Sequence, residues 1–293
     1  IVEKRSEIIF LYDSKDSNPN GDPLDSNKPR IDEETSINIV TDVRLKRTIR
    51  DYLYQYKGEE IFIRDISDDK GNIQDGKKRA QNFGKKKEEI SKNVLEKCID
   101  VRLFGATIPL DKNSITYTGP VQFAMGRSLH KVSLKYIKGT GAFASGDNKS
   151  NKTFREEYIL PYSLIGFCGI VNENAAKHTN LSDKDIKLLL DGMWNGTKNL
   201  ISRSKVGQLP RLLLKINYKE KSYHIGDLLK TIKINTELYS DEEIRDIQDY
   251  KLDITNLVNI LNENSSQVDS IEYKIDNRLK FTIDENNVDF SEA

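Results

Sequence analysis

The stretch from Asn18 to Tyr52 reads NPNGDPLDSNKPRIDEETSINIVTDVRLKRTIRDY and joins a turn-rich loop to a helix with a basic face. The loop mixes proline and glycine with Asn, Asp and Ser, a composition that interrupts regular structure. Beyond the loop, apolar residues recur at the spacing of one helical stripe. These residues are Leu45, Ile49, Tyr52 and Tyr56. The stretch predicts a long, structured surface loop followed by an amphipathic helix.

The opposite half of this predicted helix carries almost only positive charge. Its cations are Arg44, Lys46, Arg47 and Arg50, and Asp51 is the lone acid among them. Charge runs are often solvated helix faces, which would explain the pattern. A polyanion partner would also explain it, because the partner would relieve the repulsion among the cations. The helix by itself leaves both interpretations open.

The charge of the whole chain is balanced but unevenly distributed. The 293 residues include 46 basic and 46 acidic ones, for a formal net charge of zero. Residues 237–293 contain 15 acids and 5 basic residues, which leaves 31 acids and 41 basic residues in residues 1–236. A basic body with an acidic tail fits an anion-binding protein whose tail is solvated or faces a partner. An intramolecular charge match would give the same pattern.

The length allows one large domain with insertions or two smaller domains. No apolar run approaches the roughly 20 residues that span a bilayer, and the first residues lack the order of a signal peptide. We therefore expect a cytoplasmic protein without membrane contact. Cys98 and Cys168 offer neither a disulfide framework nor a metal cluster, so we expect buried free thiols.

Hydrophobic patterns predict an alternation of strands and helices. Strands are expected at Ser6–Asp13, at Asp100–Ala106, within Ile115–Val132, at Tyr158–Val171 and at Leu209–Tyr218. Helices are expected after the basic loop, at Glu88–Cys98, after the capping residue Ser182 and at Ile254–Asn262, with short strands near Tyr273 and Phe281. Without its insertions the order is βαββαβ, the α+β arrangement called ferredoxin-like, which RNA-recognition modules also use.

Two stretches read as insertions into that order. Residues 57–97 include KKRAQNFGKKK at 77–87, with six cations around Phe83. Solubilising surface and nucleic-acid contact explain this segment equally well. Residues 138–155 combine glycines with small polar residues and predict a protruding loop, whose Phe143 and Phe154 could wedge against bases or a neighbouring subunit.

A search for catalytic and metal-binding patterns finds little. Nucleotide-binding, zinc-binding and nucleophile-elbow motifs are absent, so the sequence predicts no cofactor and no metal. The run from Asp16 to Gly21 resembles the start of a calcium loop, but Asn27 replaces the bidentate glutamate and prolines intrude. His130 could contact phosphate or assist RNA cleavage, although a lone histidine is more often structural. The turn at Ser202–Gly207 suits a phosphate, and ordinary turn chemistry also explains it.

Six segments together resemble a known family. They are NPNGDP at 18–23, NKPR at 27–30, NIVTDVRLKRTIRDYL at 38–53, DVRLFGA at 100–106, GPVQFAMGRSLHKV at 119–132 and YILPYSLIGFCGIV at 158–171. In this order they resemble the repeated backbone subunit of type I CRISPR interference complexes (Cascade), of the I-B and I-C kind, in the RAMP superfamily. The matches extend from position 7 to about 218.

The resemblance implies an RRM-like palm with finger-like and thumb-like insertions. The palm would comprise residues 1–56, 98–137 and 156–218, the finger residues 57–97 and the thumb residues 138–155, with 219–293 as an acidic extension packed on the palm. Several copies would polymerise along a CRISPR RNA, and guide pairing would select target DNA in antiviral defence. Further partners would be other Cascade subunits.

The same resemblance implies a set of RNA-binding residues on the basic loop and helix, one strand, the thumb and the turn at 203–205. They are Lys28, Arg30, Arg44, Lys46, Arg47, Arg50, Gln122, Arg127, Ser128, Lys131, Phe143, Arg155, Arg203, Ser204 and Lys205. Type I subunits of this kind are not expected to cleave RNA. Related type III subunits do so with a thumb aspartate, and Asp147 lies in the candidate thumb. The alternatives are therefore an RNA endonuclease that acts on CRISPR or target RNA through His130 or Asp147, and a protein-interaction module without nucleic acid.

Overall fold

The computed structural model describes residues 1–67, 71–111, 113–144 and 152–291, with the backbone alone at 140–144 and 152–155. The helices are α1 (Asp42–Lys57), α2 (Gly76–Gln81), α3 (Lys87–Lys97), α4 (Ile99–Phe104), α5 (Glu173–Thr179), α6 (Asp183–Lys198) and α7 (Thr255–Glu263), with 3-10 turns at Leu228–Thr231, Asp241–Glu243 and Ile247–Asp249. The strands are β1 (Ser6–Ser17), β2 (Gly21–Asp22), β3 (Lys28–Pro29), β4 (Ile31–Asp32), β5 (Ile37–Val40), β6 (Gly105–Pro109), β7 (Ser114–Thr118), β8 (Val121–Phe123), β9 (Gly126–Lys131), β10 (Lys135–Ala144), β11 (Lys152–Val171), β12 (Gln208–Tyr218), β13 (Lys233–Asn235), β14 (Lys251–Asp253), β15 (Val268–Ile275), β16 (Phe281–Ile283) and β17 (Asn286–Val288).

A large antiparallel sheet organises the chain, with β1 near its centre. The strand order is β15-β12-β1-β11-β9-β5-β4, and β8 and β10 also pair with β11. In this register Phe10 of β1 lies opposite Phe167 of β11 and Leu213 of β12. Along the chain, β1, α1, β8, β11, α6 and β12 alternate as strand, helix, strand, strand, helix, strand. The fold is therefore mixed α+β, as the sequence predicts.

Helices α1 and α6 cover one face of this sheet. Ile8, Phe10 and Tyr12 alternate along β1 and contribute to the core beneath the two helices. Gly192 and Gly196 let the helices approach closely, since a Cβ at Gly196 would lie 3.1 Å from Tyr52 Cβ. Ser182 caps α6 in a capping box with Asp185, which confirms the predicted helix start.

The C-terminal residues cover the opposite face. Ile9 and Leu11, which point the other way on β1, belong to a second core with Leu252, Leu257 and Phe281. The central strand β1 is thus buried on both sides, and the C-terminal residues cover much of the second face of the sheet. Within the described residues no helix is long and apolar enough to cross a membrane.

A third, smaller core lies beyond α1 and α4. Phe62, Phe83, Val94 and Ile115 are among its buried residues. The basic segment 77–87 therefore belongs to a folded unit, with Phe83 inside and most of its lysines outside.

The predicted strand at Asp100–Ala106 is wrong, because most of this segment forms helix α4. A helix lets Leu103 enter the core under α1 while Val101 enters the small core. Gly105, at φ +72, ends the helix where a Cβ would lie 2.2 Å from the Tyr117 carbonyl oxygen.

Most other predicted elements are confirmed. Strands β11 and β12, helices α3 and α7, and strands β15 and β16 lie where the hydrophobic pattern places them. Tyr56 is an exception to the predicted buried stripe of α1, because it is 56% exposed. Both cysteines are free thiols, as expected, with Cys98 buried and Cys168 half-buried.

Candidate nucleic-acid interface

Three segments that are distant in sequence meet at one end of β1. The Asn18 amide donates to the Ser204 carbonyl oxygen at 2.9 Å. Asn20 Oδ1 accepts from the Thr41 backbone amide at 2.9 Å and from its hydroxyl at 3.0 Å. The loop after β1, the start of α1 and the turn before β12 are thereby fixed to one another. We call this meeting point the cationic junction and define it by Asn18, Asn20, Thr41, Arg44 and Lys205.

Two cations lie in the cationic junction without a carboxylate. Lys205 Nζ donates to the carbonyl oxygen of Asn18 and, at 3.1 Å, to that of Pro19. Burial, and after it the charge of nearby Arg44, lower the pKa of Lys205 to about 8. Burial also lowers the pKa of Arg44. Within the described part of the chain neither forms an ion pair, and the charge of Asp51 offsets only part of the cost of burying Arg44. An anion would therefore relieve the electrostatic cost that remains.

Two buried hydrogen-bonding atoms, one in the cationic junction and one on the strand that follows Lys205, are unused in the described part of the chain. Asn18 Oδ1 and Gln208 Nε2 are buried and have no hydrogen-bond partner within the described residues. Gln208 begins β12, three residues after Lys205, and its amide nitrogen is a donor. Buried polar groups without partners are rare and point to a missing ligand or solvent molecule.

Five other predicted cations already have acidic partners at the surface. These pairs are Lys28 with Asp25 at 2.8 Å, Arg30 with Asp22 at 2.9 Å, Arg47 with Asp51 at 2.8 Å, Arg127 with Asp32 at 3.7 Å and Arg203 with Glu157 at 2.9 Å. Exposed pairs of this kind are worth little, about 0 to 1 kcal/mol each. An anion that binds these cations more strongly can therefore displace their carboxylate partners.

Lys46 and Gln122 form one linked contact. Lys46 Nζ lies 2.9 Å from Asp42 and 3.0 Å from Gln122 Oε1, so α1 is joined to β8.

Two further predicted contact residues, Ser204 and Lys131, form hydrogen bonds through their backbone. The Ser204 carbonyl oxygen accepts from the Asn18 amide. Lys131 is exposed at the end of β9, and its backbone amide donates to Asp241 at 3.3 Å.

Two predicted contact residues are buried in structural roles. Arg50 is 8% exposed, and its Nε donates to Asp100 at 3.1 Å. Its predicted position on the exposed half of α1 is wrong, because α4 packs against that side of the helix. Ser128 is 6% exposed; its hydroxyl accepts from the Asn38 amide and donates to the His130 carbonyl oxygen.

His130 is built into the sheet. It is 2% exposed, and its Nε2 accepts from the Leu164 amide at 3.1 Å. The other ring nitrogen, Nδ1, must then carry the proton and donate to the Lys131 carbonyl oxygen at 2.8 Å. Burial lowers the pKa of the imidazole, so it is held neutral. Both nitrogens are used, which leaves none for proton transfer to a ligand.

Four residues singled out from the sequence fall outside the described part of the chain. These are the side chains of Phe143, Phe154 and Arg155 and the whole of Asp147. No cluster of three or more metal-binding side chains occurs among those that are described.

The sequence predicts some residues in and around the cationic junction and misses others. Arg44, Ser204 and Lys205 are predicted as separate groups, and the structure brings them together. Asn20 and the nearby Gln208 are missed, because from the sequence Asn20 fits only the failed calcium pattern and Gln208 lies just before the predicted strand at Leu209–Tyr218. The partner of Asn20 is 21 residues away, and Gln208 Nε2 has none among the described residues, so no local pattern reveals them.

Comparison with known proteins gives a consistent result. A family model described as "CRISPR-associated protein Cas7" matches residues 4–255. A curated relative with the same description, from Haloferax volcanii, is 32% identical over 310 residues, which cover 95% of this chain and 89% of the relative.

Solved structures show the same fold at much lower identity. A chain of a "CRISPR RNA-guided surveillance complex, pre-nicking" superposes with a TM-score of 0.58 at 13% identity, covering 95% of this chain and 96% of that one. A chain of a second "CRISPR RNA-guided surveillance complex" gives a TM-score of 0.54 at 16% identity, covering 93% and 90%. The family resemblance inferred from the six sequence segments is confirmed. The chain belongs to the family of CRISPR-associated protein Cas7.

Proposed function

We propose that the chain is a non-catalytic backbone subunit that binds CRISPR RNA in a Cascade complex of the I-B or I-C kind. Copies would polymerise along the guide, hold its sugar–phosphate backbone and leave its bases free to pair with target DNA. Family membership supports this role. The names of the similar structures, which describe RNA-guided complexes, agree with it.

The observation that carries the proposal is the pair of cations in the cationic junction that form no ion pair within the described residues. Burial lowers the pKa of both Arg44 and Lys205, and Gln208, whose Nε2 is an unused donor in the described part of the chain, follows Lys205 by three residues. Phosphate oxygens would accept from all three groups. None of these donors is specific for a base, so they would read the RNA backbone and not its sequence.

The fold supports a palm of the ferredoxin-like, RRM-like kind. Strands β12, β1, β11 and β8 lie side by side in that order, and α1 and α6 pack on one face. An ordinary RNA-recognition module binds RNA on its open sheet face. Here the residues after Tyr218 cover much of that face. RNA would therefore run past the cationic junction at the end of β1, with residues 57–97 as finger and 138–155 as thumb.

The non-catalytic part of the proposal is supported by His130, whose two ring nitrogens bind the backbone of the sheet. The endonuclease alternative then depends on Asp147. End-labelled CRISPR RNA and a complementary target, incubated with and without magnesium, should stay intact. If the RNA is cleaved and Asp147→Ala abolishes the cleavage, the protein is an RNA endonuclease and not a non-catalytic scaffold.

Salt-dependent RNA binding tests the site. We expect Arg44→Ala and Lys205→Ala each to weaken guide-RNA binding about tenfold and to reduce the log–log salt slope by about 0.7 for each phosphate that the variant no longer neutralises. Lys177→Ala and Lys184→Ala, at exposed positions on α5 and α6, are the matched controls. If affinity and slope are the same for all four variants, the cationic junction is not the RNA site.

A further inference from the structure

Two surfaces of opposite charge lie on opposite sides of the large sheet. One, which we call the finger lysine surface, consists of the exposed Lys78, Lys85, Lys86 and Lys87 with the exposed Ile73. The other, which we call the C-terminal groove, lies between α7 and β15. The first belongs to the small core beyond α1, and the second to the core on the other face of the sheet. The two surfaces of one copy therefore face in different directions.

The C-terminal groove is an apolar cavity open to solvent. Its volume is about 340 Å³, and its lining includes Leu257, Val258, Leu261, Ile271 and Phe290. Ile271 is 41% exposed, although it belongs to a strand in the sheet. The family match ends at residue 255, so β15, nearly all of α7 and most of the groove lining lie beyond the part that the family model covers, while Leu214 and Ile254 lie within it. An exposed apolar cavity of this size is a feature of docking sites.

Acids lie near this cavity. None of these acids lines the cavity itself, but Glu263 follows the lining residue Asn262 and Asp289 precedes the lining residue Phe290. Asp284 and Glu285 form the turn between β16 and β17, which the Asp284 amide ties to Thr255 at the start of α7 at 2.8 Å. All four are exposed, and within residues that the structure describes none forms an ion pair with a cation. Other acids of the C-terminal region are already neutralised by the body of the protein.

These ion pairs bear on the two explanations of the uneven charge distribution, which are a solvated or partner-facing tail and an intramolecular charge match. Asp246 pairs with Lys15 at 2.7 Å, Asp269 with Lys4 at 3.1 Å and Asp276 with Arg211 at 2.8 Å. The intramolecular charge match is therefore real but partial. It leaves the acids near the groove and the lysines of the finger lysine surface without an ion pair among the described residues, although the nearby Glu89 offsets part of the charge of Lys85 and Lys86. The two sets belong to different cores, so they do not meet within one copy.

We infer that the C-terminal groove of one copy receives the finger lysine surface of the next copy. This inference rests on the proposed function, since it concerns neighbours in the polymer. Ile73 would enter the apolar cavity while the lysines meet the acids at its rim. A contact between two different surfaces does not close on itself as a symmetric dimer does, so it can be repeated along an RNA.

A charge-swap experiment tests the contact. The finger variant carries Lys86→Glu and Lys87→Glu, at the start of α3, where acids favour the helix. The groove variant carries Glu263→Lys and Asp289→Lys. The control variant carries Lys177→Glu and Lys184→Glu, which changes the charge as much as the finger variant does. Sedimentation measures assembly on a long guide RNA, and titration measures binding to the shortest RNA that holds one copy.

We expect the finger and groove variants each to assemble on long RNA about tenfold more weakly, because attractive rim pairs become repulsive. An equimolar mixture of the two should recover assembly, since every contact in an alternating polymer again joins opposite charges. The control should assemble normally. Binding to the one-copy RNA should change by less than about twofold in the groove variant, which separates this contact from RNA binding itself.

Three outcomes would overturn the inference. Normal assembly of both variants would show that these surfaces do not meet. Weak assembly that the mixture fails to recover would show that the two surfaces do not contact each other. A loss of one-copy RNA binding confined to the finger variant would assign the lysines to nucleic acid. Failure of the wild type to bind even the one-copy RNA would instead refute the proposed function.

Discussion

Lys205 shows how one residue can couple ligand binding to protonation. Its ammonium group is half-buried, lies near Arg44 and has only carbonyl oxygens as partners within the described residues. Its pKa falls from 10.5 to about 8, so the unliganded fold disfavours the charged form. Because the unfolded chain binds this proton more tightly, Lys205 makes the free protein more stable as pH rises from about 8 towards 10.5. A bound phosphate would instead favour the protonated, charged form of Lys205.

The affinity for RNA should therefore depend on pH through this residue. Between about pH 7 and pH 9 Lys205 loses its proton, and we expect guide-RNA affinity to fall by up to about tenfold, following the fraction protonated at a pKa of about 8. Lys205→Arg keeps its charge over this range and should give a flat profile. Fluorescence anisotropy at constant ionic strength measures both. A wild-type profile as flat as that of Lys205→Arg would place the phosphate elsewhere.

Helix α1 illustrates how far sequence patterns reach at the scale of an element. Its period predicts the buried stripe at Leu45, Ile49 and Tyr52, and its N-cap Thr41 and C-cap Gly58 mark its ends. The pattern fails at Arg50, which looks exposed on an isolated helix. Asp100 comes from 50 residues away, on a segment that reads as a strand and folds as α4. Such a pairing is decided by tertiary packing, which local periodicity does not contain.

The contact of Arg50 with Asp100 ties three elements together. Asp100 is fully buried and accepts from Arg50, from the Phe62 amide at 2.7 Å and from the Ile63 amide at 3.0 Å. It thereby joins α1 and α4 to the segment that follows α1. The Arg50 guanidinium also lies over the Phe104 ring, 5.1 Å from its centroid.

Loss of Arg50 should consequently affect stability rather than RNA binding. Arg50→Ala leaves a buried carboxylate without its cation, and we expect the free energy of unfolding to fall by about 3 to 5 kcal/mol. The salt slope of RNA binding, measured below the unfolding temperature, should stay within about 0.3 of the wild type, in contrast to Arg44→Ala. Denaturant titration gives the first quantity. A stable Arg50→Ala protein with a reduced salt slope would return this residue to the RNA interface.

At the scale of the molecule, the two sheet faces determine what the chain can bind. The alternation along β1 sends Ile8, Phe10 and Tyr12 under the helices, and Ile9 and Leu11 under the C-terminal region. The sequence predicts the strand, but an uninterrupted apolar run does not say which element covers each face. It also predicts an acidic tail, and the family resemblance implies that this tail packs on the palm, but neither tells which face of the sheet the tail's apolar residues cover. The assignment of a covering element to each face is thus the part of the fold that only the three-dimensional structure provides.

If both faces form one cooperative unit, damage to the C-terminal core should reach the helices across the sheet. Leu252 on β14 is fully buried, and Leu252→Ala should lower the free energy of unfolding by about 3 kcal/mol. The single tryptophan, Trp194 on α6, belongs to the core on the opposite face, and Lys274 of β15 lies 4.9 Å over its ring, so its fluorescence reports the helix side together with this one C-terminal contact. We expect its unfolding midpoint to shift together with that of circular dichroism, while Leu238→Ala, at a position 37% exposed, shifts neither. An unchanged Trp194 midpoint with earlier loss of dichroism would instead make the C-terminal region a unit that unfolds independently of the sheet it covers.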